Sequence, residues 1–122
     1  KRFYTQLDEA FTDYMSFKVT GIRNKGTYYA HACFIEHIDK KLDEIGYKNC
    51  AAKTYYGKDK SLFKNILNSI VGEDFYDKLA EKMSQNVKDA RNGKIASVEQ
   101  MSEALKPLLL EFDKKVETIL KK

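Results

Sequence analysis

Seven apolar residues near the end of the chain, Val98, Met101, Leu105, Leu108, Phe112, Val116 and Ile119, follow one another at spacings of 3, 4, 3, 4, 4 and 3. That period lays all of them on one face of an α-helix and on no single face of a strand. The stripe keeps its phase through Pro107, the one proline in the sequence. The spacing therefore predicts a single long last helix, kinked at Pro107, rather than two helices. Ser97 with Gln100 forms a capping-box pattern that opens it. A helix with such a stripe is stable only when that face is buried against other elements, so the remainder of the chain must supply partners.

The remainder reads as helices punctuated by glycine. Phe3, Leu7, Ala10, Phe11 and Tyr14 recur at helical spacing before Gly21, which predicts a first helix over residues 3–19. Thr27 is placed to cap a second helix whose stripe is Tyr28, Ala32, Ile35, Ile38, Leu42 and Ile45, ending at Gly46. Residues 49–57 are ambiguous, read as a short helical turn followed by an exposed loop. Leu62, Phe63, Ile66, Leu67, Ile70 and Val71 form a compact third helix, apolar over so wide an arc that it belongs at the centre of a core. A fourth helix carries Phe75, Leu79, Met83, Val87 and Ala90, with Glu73, Asp74 and Asp77 at its start and Lys88 and Arg91 at its end, as the helix dipole favours. Nothing reads clearly as a strand, and there is no internal repeat or linker. The expectation is an all-α protein, one compact bundle of about five helices forming a single domain over residues 1–122.

A chain of 122 residues, 43% of them hydrophobic, is long enough for one core without a disulfide or metal staple. No apolar run reaches the roughly 18 residues a membrane span needs, and the first eleven residues contain no apolar core of a signal. The chain reads as soluble and without a membrane role. It opens on Lys1 rather than Met, which raises the expectation of a piece processed or excised from a longer protein. Cys33 lies mid-way along the second predicted helix, about 18 Å from its end at 1.5 Å per residue, whereas Cys50 follows that end by only four residues. A disulfide requires Cα atoms within about 7 Å, so two free thiols and a reducing, cytoplasmic compartment are expected.

Charge is distributed unevenly. Residues 18–64 hold ten Lys or Arg against five acids, while residues 65–122 balance ten against ten and residues 1–17 sum to −1, so the net +4 originates in the basic third. Five of the eight tyrosines, Tyr28, Tyr29, Tyr47, Tyr55 and Tyr56, lie in the same third. Positive charge among flat aromatic rings binds phosphate backbones and unstacked bases, because the cations release counterions and the rings offer a stacking surface. The competing explanation is that lysines solvate helix faces and tyrosines fill half-buried positions.

Catalytic motifs are missing from the sequence. It has no G-x-S-x-G and no glycine-rich phosphate loop, since Gly57-Lys58 lacks the upstream glycine and the following Ser or Thr. Cys33 and His37 share one helix face with Glu36 nearby, but a zinc site needs three or four protein ligands, and His31 and Cys50 are expected elsewhere. These residues read as a buried cysteine beside surface His and Glu. No enzyme activity, metal or cofactor is expected.

Phe11, Tyr14, Phe17, Lys18 and Gly21, followed by Thr27-Tyr28, Ile35, Ile38 and Leu42, give the order helix, glycine, basic loop, Thr-Tyr, helix. Residues 3–46 in this respect resemble the opening helix pair of the core-binding domain of tyrosine recombinases. The resemblance implies DNA contact through the loop holding Arg23, Asn24 and Lys25 and through residues 27–29. Residues 47–122 depart from the family pattern and no catalytic domain follows, so recombination is not implied. The functional expectation is a non-enzymatic module that contacts an anionic partner, nucleic acid, through Arg23, Lys25, Thr27, Tyr29, Lys48, Lys53, Tyr55, Tyr56, Lys58 and Lys60. The rival expectations are a protein–protein interaction module of adaptor, inhibitor or immunity type, working through a groove beside the last helix, and a carrier of a small apolar ligand. Convergence of the basic residues on one face favours nucleic acid, and scatter favours a protein partner. Neither the oligomeric state nor the partner's identity follows from the residues.

Overall fold

The computed structural model describes residues 4–121, which form six helices and no strand. They are α1 (Tyr4–Thr20), α2 (Tyr29–Glu44), α3 (Cys50–Tyr56), α4 (Leu62–Ile70), α5 (Phe75–Arg91) and α6 (Val98–Leu120). The four long helices close a ring, in which α1 packs on α2 and α5, and α6 packs on the same two from the far side. The short α3 and α4 link the end of α2 to the start of α5 and close one end of the ring, where Lys64 of α4 reaches the Tyr4 hydroxyl and Tyr4 bonds Asp77. The opposite end holds the α1–α2 and α5–α6 connections, with Gly26 and Thr27 beside Ala96 and Ser97.

The stripes define most of the core, with two corrections: α4, expected at the centre, lies at one end of the ring and buries only Phe63 and Leu67, and Val98 and Ile119 of the last stripe are exposed. Leu7, Phe11, Ile35, Ile38, Leu42, Phe63, Leu67, Phe75, Leu79, Met83, Leu105 and Phe112 all belong to one buried cluster. Phe3, expected in the first stripe, lies outside the described residues. α6 runs unbroken through Pro107, and Ser97 caps it by accepting from Gln100 N at 3.2 Å while the Gln100 side chain turns back to Ala96 N.

The expected count of about five helices is corrected to six, and the correction falls on residues 49–57. Their polar surface of lysine and tyrosine hides a seven-residue helix held by three buried positions, Cys50, Ala51 and Thr54. The Asp39 carboxylate of α2 accepts from Ala51 N at 3.0 Å and from the Tyr14 hydroxyl at 2.7 Å, so one buried acid joins α1, α2 and α3. Thr54 Oγ1 donates to Cys50 O at 2.8 Å and accepts from Phe63 N at 3.0 Å, which fastens α3 to α4. Gly57 ends α3. A Cβ there would lie 2.2 Å from the Lys53 carbonyl oxygen, a backbone atom that cannot yield, so the chain leaves α3 by a path open to glycine alone.

Thr27 does not cap α2, contrary to expectation. The N-cap is Tyr28, without a side-chain bond, and the preceding loop is instead shaped by Asn24 Oδ1 accepting from Gly26 N at 3.0 Å.

Candidate nucleic-acid interface

The ten residues expected to form the interface divide into two groups at opposite ends of the bundle. Arg23, Lys25, Thr27 and Tyr29 lie at the start of α2, whereas Lys48, Lys53, Tyr55, Tyr56, Lys58 and Lys60 lie beyond its end. α2 has 16 residues. At 1.5 Å per residue it holds the two groups about 24 Å apart. They form no single continuous patch.

The first group is engaged within the protein at its main cation. Arg23 Nη2 lies 2.9 Å from Glu36 Oε1, and its guanidinium stacks 3.6 Å from the centre of the Phe17 ring. Arg23 Nη1 also faces Cys33 Sγ at 3.9 Å. Arginine in this setting ties the α1–α2 loop to α2 through stacking and charge together, and breaking the pair would leave Glu36 with only Lys40, at 3.4 Å. Cys33 is half-buried rather than buried, and Glu36 and His37 are half-buried rather than on the surface. The correction has a physical cause: each acid or base there has a partner, and His37 Nε2 lies 2.8 Å from Asp113 Oδ1 of α6. Both cysteines are free thiols. Burial, then the nearby Asp39, pushes the Cys50 thiol up to about 11.

The second group has a different character. Tyr55 and Tyr56 are the last two residues of α3 and not part of a loop. The Tyr55 ring lies nearly parallel to Phe11, 12° between planes and 6.1 Å between centres, and Phe11 in turn meets Phe63 edge-on. Tyr56 stands edge-on to Tyr55 at 5.1 Å and is 65% exposed. Both tyrosines are exposed, Tyr55 at 37%, but one face of the Tyr55 ring rests on Phe11 and Tyr56 is braced against Tyr55. The pattern of single apolar residues could not reveal this, because both tyrosines are adjacent and a helix turns them about 100° apart.

Among the lysines of this group, Lys48 pairs with Asp43 at 3.4 Å and Lys60 donates to the Tyr55 carbonyl at 2.6 Å. Lys53 and Lys58 are exposed and make no ion pair among the described residues. Asp59, the one acid within residues 47–60, accepts from Ser61 N at 3.0 Å and so shapes the turn into α4. Between α1, α3 and α5 lies a hollow of about 270 Å³, with Phe11, Tyr55 and Tyr76 as walls and Asp8 and Lys60 also lining it.

Sequence reasoning missed His31 and Asn86. His31 of α2 is fully buried and Asn86 of α5 nearly so. Asn86 Nδ2 donates to Met101 O at 3.2 Å and lies 3.1 Å from His31 Nε2, which joins α2, α5 and α6. Burial lowers the His31 pKa from 6.5 to about 4. The only prior signal was a polar residue between Ala30 and Ala32 on an apolar helix.

No protein-family model, no curated protein and no solved structure matches this chain. The geometry by itself defines an all-α bundle of four long helices with a short helical pair across one end. Among the described residues no helix is long and apolar enough to cross a membrane, and no three His, Cys, Asp or Glu residues are arranged to hold a metal ion.

Proposed function

We propose that the chain is a non-enzymatic helical module that binds single-stranded nucleic acid through α3 and the α3–α4 loop. The observation that carries this reading is the exposed Tyr56 ring, braced by Tyr55 on Phe11, within three residues of Lys53 and Lys58, which are exposed and make no ion pair among the described residues. A ring held in place loses little conformational freedom when a base stacks on it, and two lysines without internal carboxylates are free to meet phosphates. Lys48 and Lys60 contribute charge at the same end. Arg23 takes no direct part, because its guanidinium is already occupied by Glu36 and Phe17, and Lys25 lies with it at the opposite end of the bundle.

The test is a titration of short single strands at several salt concentrations. Lys53→Ala and Lys58→Ala should each weaken binding regardless of sequence and flatten the salt slope by roughly 1. Tyr56→Ala should cost about 1 to 3 kcal/mol with the salt slope and melting temperature little changed. Absence of binding by single-stranded and duplex DNA and RNA below about 100 μM at low salt would remove the reading.

Two observations favour the protein-interaction alternative, the first being that the expected basic residues divide between opposite ends of the bundle instead of converging on one face. The second is that Val19 and Ile22, three positions apart where α1 ends, are 72% and 74% exposed. An exposed pair of β-branched residues beside a rigid Arg23 clamp suits a small protein contact at the end of the bundle opposite α3.

A further inference from the structure

The hollow beside Tyr55 has the size, walls and rim of a site for one planar ring. Its volume of about 270 Å³ falls just below the roughly 300 to 1,000 Å³ usual for drug-sized ligands. Phe11 and Tyr55, stacked on one another, and Tyr76 form its aromatic lining. The Thr54 hydroxyl spends its one donor on Cys50 O and accepts from Phe63 N, so the remaining donors and charges of the site lie with Asp8, Thr12 and Lys60. Asp8 has no cation or donor partner among the described residues, and burial, then Glu9, raises its pKa. Lys60 uses one of its three N–H donors on the Tyr55 carbonyl and keeps two.

We infer that this hollow takes one unstacked nucleobase, guanine in preference to the others, with Asp8 accepting from the base edge and Lys60 meeting the attached phosphate. The inference rests on the reading of α3 as a nucleic-acid surface and names what that surface selects. A carboxylate only accepts, so it discriminates bases by their donors. Guanine offers a ring N–H and an amino group side by side on its Watson–Crick edge, which matches the two oxygens of one carboxylate. Cytosine and adenine offer one amino group there. Uracil and thymine offer one ring N–H between two carbonyl oxygens that repel the acid. The opposite charges lining the hollow also suit the two ends of a nucleotide, a donor edge and a phosphate, with the ring between them against the aromatic walls. A guanine in a strand and free guanosine monophosphate share this chemistry, and the test separates them.

The experiment titrates the pentaribonucleotides UUGUU and UUUUU, and separately guanosine and uridine monophosphate, into the chain at low salt. Wild type, Asp8→Asn, Asp8→Ala and Lys60→Ala are compared after their melting temperatures are checked. Wild type should bind UUGUU at least about fivefold more tightly than UUUUU. Both Asp8 variants should reduce that preference to less than about twofold, and Lys60→Ala should weaken both strands alike while the preference persists. Equal binding of the two pentamers by wild type, with Tyr56→Ala weakening both, overturns the pocket and leaves the α3 surface standing. A preference that survives in both Asp8 variants overturns the assignment of Asp8. Guanosine monophosphate binding that depends on Asp8 while neither pentamer binds supports the pocket and overturns the strand-binding surface. No binding of any probe overturns both.

Discussion

Acidification from pH 7 to pH 5 should weaken the fold by about 2 kcal/mol through His31 alone. Burial holds its folded pKa at about 4, against 6.5 for an exposed histidine. The unfolded chain therefore binds a proton at pH values where the folded chain does not. The stabilisation is fully present above 6.5 and is lost as the pH falls toward 4. At 1.36 kcal/mol per unit, the pH span from 6.5 to 5 accounts for about 2 kcal/mol and the span to 4 for about 3 kcal/mol. Geometry gives the same sign. Asn86 Nδ2 faces the Met101 carbonyl, which only accepts, so it is a donor toward His31 Nε2, and that nitrogen must carry a lone pair. A protonated ring would set N–H against N–H inside a site where Nδ1 already lacks a partner. The assay is urea unfolding at pH 7, 6 and 5 of wild type and His31→Gln, which keeps an acceptor for Asn86 and cannot titrate. His37 and the carboxylates are common to both proteins. These include Asp8 and Asp13, whose pKa values burial raises and whose contribution therefore has the opposite sign. They cancel in the comparison. Parallel loss of stability in the two proteins from pH 7 to pH 5 would refute the argument and return His31 to an ordinary, hydrated role.

Gly57→Ala should destabilise the protein by about 1 to 3 kcal/mol, as the new Cβ meets the Lys53 carbonyl and must displace the end of α3; a melting temperature equal to wild type would show that the turn relaxes freely. Thiol labelling should proceed in two distinct phases, Cys33 reacting in the native protein and Cys50 only on unfolding, because Cys50 is buried with its pKa pushed up to about 11. Cys33→Ser should abolish the fast phase, and a single fast phase for both thiols in wild type would contradict the packing of α3 on α2.

The long helices were legible in the residues because each carries an apolar stripe several turns long. Leu7, Phe11 and Tyr14 of α1, and Met101, Leu105, Phe112 and Val116 of α6, are buried as their spacing implies. α3 was not, because a helix of two turns shows too few repeats of any period, and its support comes from elsewhere in the chain. Asp39, twelve residues from Ala51, and Phe63, nine residues from Thr54, hold it in place through hydrogen bonds that no local pattern records. The same limit applied to the candidate surface. Counting charge located the basic third, but pairing decides how much of that charge is available to a partner, and pairing depends on which helices meet.

That pairing bears directly on the proposed nucleic-acid reading. Of the ten basic residues between 18 and 64, Lys18, Arg23, Lys40 and Lys48 face carboxylates, and Lys60 and Lys64 donate to oxygens of the chain. Lys25, Lys41, Lys53 and Lys58 make no such contact among the described residues, and of these Lys53 and Lys58 lie within three residues of the exposed Tyr56 along the chain. A surface with so few free cations gains little from counterion release, which scales with the number of phosphates neutralised. On the proposed reading, affinity for a single strand would come from stacking and base contacts to a larger degree than in a strongly basic domain, and would survive moderate salt better. For such a surface Tyr56, and not any lysine, is the residue whose loss costs most.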